Sequence, residues 1–408
     1  MANERHIPHH AHPDQFKKQA KELLKQYRSG DTRAVELFTT FHPNLPISNP
    51  KLADAQIVIA RQFGQQNWKH LLEAVESVDR FRQLLGYFSN DDKVAAKELL
   101  QAYPQLLKRK DLLGRAVRHG KSVAMLKLVH EMSQGDVQDA LGYLVYELKE
   151  DMAEYLLKQE ARFEKMELLP GSEVLNSQVM KYALKYVRLK DFPDMAKASI
   201  AMLLSTYSRN PQEKHQCLKL IESQGITLAD TAPMAVHKGD LNSLKKHLKA
   251  KPELFKTNYS EADIYPPSWG IKAGDGLHLA PLNGAGLLHM AAEYDEQDLL
   301  NWILEAGADP NFKAAVDQEG YGGHTALYHT TVSYTFPDSS KAKALLKTGA
   351  NPAIRATIRK QLRYMGQRHL EEMYTFEEVT AVDFAHQFQM QAWVSHASIT
   401  VIEDHQKK

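Results

Sequence analysis

Apolar residues recur at helical spacing along most of the 408 residues, in short stretches that end at glycine-containing turns. The first series, which includes Phe16, Ala20 and Leu23, stops before Gly30, and a second begins at Ala34. Alternation of apolar and polar residues with Asn-Gly or Asp-Gly turns, the pattern of strands and hairpins, is nearly absent. The pattern predicts an almost all-helical chain that is built from pairs of short helices.

These helix pairs follow a repeated layout. In four places a predicted helix ends at a turn, and large apolar residues follow about two helical turns later. The four turns lie at Gly30, Gly120, Gly239 and Asp295. An alanine precedes each of the last three turns by four residues: Ala116, Ala235 and Ala291. Because a short helix pair cannot bury its faces alone, we expect the pairs to stack as a solenoid.

Two segments near the C-terminus carry a specific motif. Residues 287–292 read Leu-Leu-His-Met-Ala-Ala, and residues 307–311 read Gly-Ala-Asp-Pro-Asn. They resemble the ankyrin repeat, whose pattern is T-P-L-H-x-A-A followed by L-L-x-x-G-A-D-x-N. A second unit extends from Gly323 to Pro352, and a third opening begins at Thr380. Residues 53–64 are similar to a leader that precedes bacterial ankyrin arrays, so the chain resembles a bacterial ankyrin repeat protein.

The resemblance implies a fold class and an order of segments. The fold is expected to be all-α, an ankyrin-type helical repeat solenoid with degenerate N-terminal helix pairs and a helical insertion near the C-terminus. His289 and Thr325 are expected to be architectural, since a threonine caps a helix start and a histidine ties neighbouring loops together. We expect seven segments: a flexible His-rich tail (1–14), an N-terminal helical leader (15–80), degenerate ankyrin-like helix pairs (81–255), a long aromatic and Gly-containing loop (256–286), two recognisable ankyrin repeats (287–352), a basic helical insertion (353–379) and a C-terminal capping repeat (380–408).

The loop predicted at 256–286 is longer than a plain helical repeat requires, and long loops are often functional. Tyr265 and Trp269 lie in this loop. If exposed, their rings would offer a partner rigid contact area at small entropic cost. Alternatively, these aromatic residues cover the end of a degenerate repeat, and the sequence leaves both interpretations open.

The insertion predicted at 353–379 is basic in its first half. Five cations precede its first acid, Glu371: Arg355, Arg359, Lys360, Arg363 and Arg368. Apolar residues recur in the same stretch: Ile354, Ile358, Leu362 and Met365. This spacing predicts an amphipathic helix with a cationic face, which could contact an acidic protein surface or phosphates. In the alternative interpretation the cations form a solvated face that pairs with four glutamates: Glu371, Glu372, Glu377 and Glu378.

Charge and composition set limits on the function. Lys and Arg number 51 against 50 Asp and Glu, so the net charge of +1 provides no general attraction to nucleic acid or anionic membranes. A single cysteine, Cys217, fits a reducing compartment and a buried position. No apolar run approaches the ~20 residues that span a bilayer, and the N-terminus lacks the apolar stretch of a signal peptide. We therefore expect a cytoplasmic protein without membrane contact.

Three motifs that could carry chemistry have simpler explanations. The segment from Gly114 to Ser122 ends like a phosphate-binding loop, but five residues separate its glycines where four are required. The Gly-rich run 320–324 could cradle a phosphate, but it stands where a tight turn joins ankyrin units. Histidines that could bind a metal lie in the tail that we expect to be flexible: His6, His9, His10 and His12. We therefore predict no catalytic residue, no cofactor and no metal site.

Three functions are compatible with these features, and we favour the first. It is a non-enzymatic protein-protein interaction scaffold that binds an unidentified partner through the ankyrin concave surface and the inserted loops. The second is a nucleic-acid-associated helical solenoid that uses the basic arm at 355–368. The third is an enzyme with a pocket near 256–286, which requires a bound small molecule or a strongly shifted titrating group there. The residues predicted to bind the partner are Tyr265, Trp269, Arg355, Arg359, Lys360 and Arg363.

Overall fold

The computed structural model describes residues 7–8, 11–44, 49–270, 279–333, 338–362 and 372–407. The chain divides into two compact units. Unit 1 comprises residues 1–143 and 149–161, and unit 2 comprises residues 144–148 and 162–408. The described residues are mostly helical. The predicted division into seven segments is finer than these two units and stays a prediction.

Unit 1 is a succession of short amphipathic helices. The turn at Gly30, with φ 76°, joins the first two helices as predicted, and the Asn67 side chain caps the fourth by accepting from the His70 N–H. The core is apolar and includes Phe16, Phe38 and Leu71. The helices are α1 (Pro13–Arg28), α2 (Thr32–Phe41), α3 (Leu52–Gln62), α4 (Trp68–Asn90), α5 (Lys93–Ala102), α6 (Leu112–His119), α7 (Val123–Ser133), α8 (Val137–Gly142) and α9 (Glu150–Lys158).

The histidine tail is described in part. His6, His9 and His10 lie outside the described residues. His12 is described, and its ring accepts a hydrogen bond from the Asp14 N–H at the start of α1. Because α1 begins at Pro13, the helix starts two residues inside the segment 1–14 that was expected to be a tail.

Unit 2 contains helices of similar length together with longer connections. Its single cysteine, Cys217, is buried as predicted. The helices are α10 (Ser177–Ala183), α11 (Pro193–Ser205), α12 (Pro211–Ser223), α13 (Ala232–His237), α14 (Leu241–Ala250), α15 (Glu261–Ile264), α16 (Leu287–Glu293), α17 (Gln297–Glu305), α18 (Ser340–Lys347), α19 (Ala381–Gln387) and α20 (His396–Gln406).

The predicted repeat layout is confirmed in both units. Gly239 and Asp295 have positive φ angles of 60° and 58° and form the turns between α13 and α14 and between α16 and α17. Ala235 and Ala291 are buried, and α13 packs against both α14 and α16. Ala116 is likewise buried in α6, before the turn to α7. A small residue at these positions lets neighbouring helices approach closely.

The described part of the basic insertion is a β-hairpin, so the prediction of a helix there is wrong, while the described residues as a whole are mostly helical, in agreement with the predicted fold class. Strand β1 (Ala356–Leu362) pairs in antiparallel fashion with β2 (Glu372–Val379), and Ile358 faces Phe376. Both of these side chains are buried, and the Phe376 ring lies 4.9 Å from that of Phe384 in α19. An apolar spacing of four residues is a multiple of the strand period of two, so the sequence pattern fits either element.

The C-terminal segment begins as the resemblance predicted. Thr380 caps α19 by accepting from the Asp383 N–H, and the Asp383 carboxylate accepts from the Thr380 N–H. This reciprocal pair is a capping box, which stabilises the start of a helix. Within the described residues, no helix is long and apolar enough to cross a membrane.

Candidate functional site

Residues 314–324 of unit 2 form a tight finger that follows the first predicted ankyrin repeat. The Ala314 N–H donates to the His324 carbonyl at 2.8 Å, and the Asp317 N–H donates to the Tyr321 carbonyl at 2.8 Å. Gly322 has φ 135°, and a Cβ atom there would lie 2.1 Å from the Ala315 carbonyl oxygen. Only glycine fits this position. The run 320–324 is therefore a turn, as the sequence indicated.

The finger lies against strand β1. The Gly322 N–H donates to the Thr357 carbonyl at 2.8 Å. The Arg359 guanidinium lies 4.3 Å from the centre of the Tyr321 ring and donates to the Glu319 carboxylate at 2.5 Å. These contacts join the finger of the repeat to the inserted hairpin.

A cleft of about 230 Å³ opens between the finger, strand β1 and the segment before α16. Two predicted partner-binding residues, Arg359 and Lys360, line it together. Met373 in its wall is 54% exposed, and Val316, which lies in the chain between the lining residues Ala315 and Asp317, is 60% exposed. The cleft is lined by Glu261, Pro281, Asn283, Ala315, Asp317, Tyr321, Gly322, His324, Ile358, Arg359, Lys360 and Met373.

Among the described residues, the cations of the hairpin do not form a free basic face. Arg355 donates to the Glu378 carbonyl and lies 3.4 Å from the Asp383 carboxylate. Arg359 pairs with Glu319, and Lys360 is only 5% exposed. The carboxylates beside Arg355 and Arg359 are those of Asp383, Asp317 and Glu319, and none of them belongs to the four glutamates that the alternative interpretation named. Arg363 lies outside the described residues.

The two aromatic residues predicted in the 256–286 loop have different environments. Tyr265 is 1% exposed and its hydroxyl is hydrogen-bonded to that of Tyr294, so the expectation of an exposed ring is wrong. The burial of Tyr265 agrees with the alternative interpretation, in which this aromatic residue covers the end of a degenerate repeat. Trp269 is half-buried in a short 3-10 turn that packs against α11. Residues 271–278 of the same predicted loop lie outside the described residues.

A buried ionic network, which the sequence analysis did not predict, surrounds Glu293 at the end of α16. Arg209 donates to the Glu293 carboxylate at 2.6 Å and to the Glu293 carbonyl at 2.7 Å. His329 Nδ1 lies 2.7 Å from the same carboxylate, which also accepts from the Leu279 N–H at 2.9 Å. Arg209 and Glu293 have side-chain exposures of 2% and 1%. The possible signal was a glutamate that interrupts the apolar run of α16.

A group of buried histidines extends from this network to the cleft. The rings of His324 and His329 lie 5.4 Å apart. Burial lowers the pKa of His324 to about 3, so its ring is neutral, and Nε2–H donates to the Pro281 carbonyl at 2.8 Å. His289 Nε2 lies 3.0 Å from the His324 carbonyl, which confirms that His289 ties neighbouring loops together. Among the described residues, His324 Nδ1 and His329 Nε2 have no hydrogen-bond partner.

Shifted titrating groups also occur near the 256–286 loop, as the enzyme hypothesis required. Burial lowers the pKa of Lys214 to about 7 and that of His237 well below its usual range. Lys214 Nζ lies 2.9 Å from His237 Nδ1, and His237 Nε2 lies 3.0 Å from the Ile264 carbonyl. These groups bond to one another, so their shifts have a structural explanation.

Comparison with known families supports the resemblance in part of unit 2. Residues 283–315 match the family model of the ankyrin repeat. The match covers one repeat, which includes α16, α17 and the base of the finger. No curated protein matches the chain.

Proposed function

We propose, on the premise that this chain is a member of the ankyrin repeat family, that it is a non-enzymatic scaffold that binds a partner protein through unit 2. Ankyrin repeats are protein-protein interaction modules, and site chemistry must decide what this one binds. The observation that carries the proposal is the exposure of Val316 and Met373 beside a cleft that the repeat and the inserted hairpin form together. That the concave face of the repeats contributes stays a prediction.

A protein partner fits the described part of the hairpin better than a nucleic acid does. Binding to phosphates gains free energy by releasing counterions from the nucleic acid, and this requires available cations. Arg355 and Arg359 already lie beside Asp383 and Glu319. A phosphate would have to displace these carboxylates, whereas an apolar protein segment would cover Val316 and Met373 without breaking an ion pair.

The test is a capture experiment from nuclease-treated lysate of the native organism, followed by quantitative mass spectrometry. The variant Val316→Glu/Met373→Glu places one charge on the finger, between two lining residues, and one in the wall of the cleft. Val94→Glu is the matched control, because Val94 in unit 1 is 69% exposed and far along the chain from the repeat match. We expect a protein that the wild type and the control retain and that the double variant loses.

Two results would overturn the proposal. Retention of the same protein by all three chains would exclude this surface. Recovery of nothing but nuclease-sensitive material, from a parallel capture without nuclease, would support the nucleic-acid alternative instead.

A further inference from the structure

We propose that the outer edge of strand β1 binds an extended segment of the partner protein as an added β-strand. The inference rests on the proposed function and specifies its binding mode. Strand addition uses main-chain hydrogen bonds for affinity and pockets for alternate side chains for specificity. The edge in question lies at the cleft, where Ile358, Arg359 and Lys360 form one wall.

The direction of the main-chain groups of β1 follows from one hydrogen bond. The Thr357 carbonyl accepts from the Gly322 N–H, so the main chain of Thr357 faces away from β2. In a regular strand, main-chain groups two residues apart face the same side. The N–H and C=O groups of Arg359 and Gln361 therefore face away from β2 as well.

Strand β1 is regular at this point. The register skips from Ala356↔Val379 to Ile358↔Phe376, which places two residues of β2 opposite one of β1. The extra residue thus belongs to β2, where Glu378 has φ 48°. Because this irregularity is confined to β2, the two-residue period from Thr357 to Arg359 is retained.

The finger begins a third strand beside β1 and then turns away. Gly322 forms a single bridge to Thr357. Because this bridge is antiparallel, Gly320 would continue the pairing to Arg359, but Gly320 has φ 91° and donates its N–H to the Asp317 carbonyl within the finger. Within the ranges that the structure describes, no backbone group continues this pairing along Arg359 and Gln361. A sheet edge of this kind is a template for another strand.

The cleft indicates what the added segment carries. Its volume of about 230 Å³ is smaller than the 300–1,000 Å³ typical of small-molecule pockets. Its walls combine two acids, Glu261 and Asp317, with two bases, Arg359 and Lys360, so it has little net charge. Together with the exposed Met373, this favours a segment with uncharged, strand-forming residues that inserts one apolar side chain.

The test begins with random peptides displayed on phage. Peptides are selected on the full-length chain and counter-selected on the Arg359→Pro variant. Proline removes the outward N–H of Arg359 but no hydrogen bond to β2. Arg359→Thr is the matched control, since it removes the guanidinium and keeps the N–H. Hydrogen exchange of the β1–β2 hairpin verifies that both variants are folded.

We expect selected synthetic peptides to bind Arg359→Pro about tenfold more weakly than wild type, the equivalent of one unsatisfied hydrogen-bonding group. Arg359→Thr reports the loss of the guanidinium alone, and peptides should bind it more tightly than Arg359→Pro, because it keeps the main-chain N–H. N-methylation of the peptide should abolish binding at alternate positions and be tolerated at the positions between them.

Several outcomes would overturn strand addition. They are the absence of any peptide that survives counter-selection, an equal loss in both Arg359 variants, and a methylation profile without alternation. A dimer of the full chain that Arg359→Pro dissociates would assign the edge to a second copy instead. If the protein captured from lysate binds wild type and Arg359→Pro equally, the scaffold function stands and the strand-addition mode fails.

Discussion

Units 1 and 2 both consist of short helices, but their interiors differ in polarity. In the described part of unit 1, Gln62 is the one polar residue that is buried as a whole. Unit 2 buries six side chains with formal charges as well as four histidines. The charged residues are Arg209, Lys214, Glu293, Glu296, Lys341 and Lys360, and the histidines are His237, His289, His324 and His329.

The difference follows from the connections that each unit contains. Regular helices satisfy their own main-chain groups, whereas irregular backbone needs other partners when it is buried. In unit 2 the Glu293 carboxylate accepts from the Leu279 N–H, and His324 donates to the Pro281 carbonyl. Long connections thus explain why polar side chains occupy the interior of unit 2.

The largest effect is expected from Glu293→Ala. The variant leaves Arg209 buried without a counterion and the Leu279 N–H without an acceptor, and breaking such a pair costs about 3–5 kcal/mol. Hydrogen exchange resolved by segment should show this loss in unit 2. The control is Glu73→Ala in unit 1, where the pair with Lys69 is exposed and contributes about 1 kcal/mol or less. A smaller loss than in the control would mean that the network does not stabilise unit 2.

A cavity created by mutation in the core of unit 1 should lower the free energy of unfolding slightly less, and this loss should be independent of pH. Leu71 is completely buried among apolar residues. Leu71→Ala should lower the free energy of unfolding of unit 1 by about 2–5 kcal/mol. Urea titrations at pH 5 and pH 7.5 would measure it, and a loss that differs between the two pH values would contradict an apolar origin.

The stability of unit 2 should decrease as the solution becomes acidic. Burial lowers the pKa values of His237, His289 and His324, the last to about 3, whereas an unfolded histidine titrates near pH 6.5. Above about pH 6.5 these histidines are neutral in both the folded and the unfolded state, so they cause no change of stability with pH there. As pH falls below this value, the unfolded state takes up protons that the folded state does not, so stability decreases by up to about 1.4 kcal/mol per pH unit for each histidine.

The variant His324→Gln tests this dependence because it keeps a donor for the Pro281 carbonyl but does not titrate. Unfolding of unit 2 should be followed by hydrogen exchange or urea between pH 7.5 and pH 4.5. We expect the unfolding free energy of the variant to change less with pH than that of the wild type, and the difference should equal the contribution of about one histidine. An unchanged slope would show that His324 is not neutral in the folded state.

The smallest effect should come from the C-terminal capping box. Thr380→Ala removes the acceptor for the Asp383 N–H at the start of α19, which typically costs about 1 kcal/mol. Thr380→Ser keeps the hydroxyl and should recover most of the loss. Thermal unfolding measures the stability of both variants. Equal stability of Thr380→Ala and Thr380→Ser would show that the hydroxyl does not stabilise the start of α19.

What the sequence by itself determined is the local structure. Helix faces and helix-terminal turns depend on neighbouring residues, so the spacing of Phe16, Ala20 and Leu23, all buried, identified α1 correctly. The turns at Gly239 and Asp295 were visible for the same reason. The ankyrin resemblance also rested on short motifs, and the family match at 283–315 agrees with it.

Only the tertiary structure decided the rest. Arg209 and Glu293 are 84 residues apart in the chain, and His329 lies 36 residues from Glu293, so no local pattern predicts their contact. Whether 356–362 is a strand or a helix depended on pairing with 372–379, because its apolar spacing fits both periods. The burial of Tyr265 likewise required Tyr294. Contacts between distant residues determine which polar groups are buried, and the candidate site is made of such contacts.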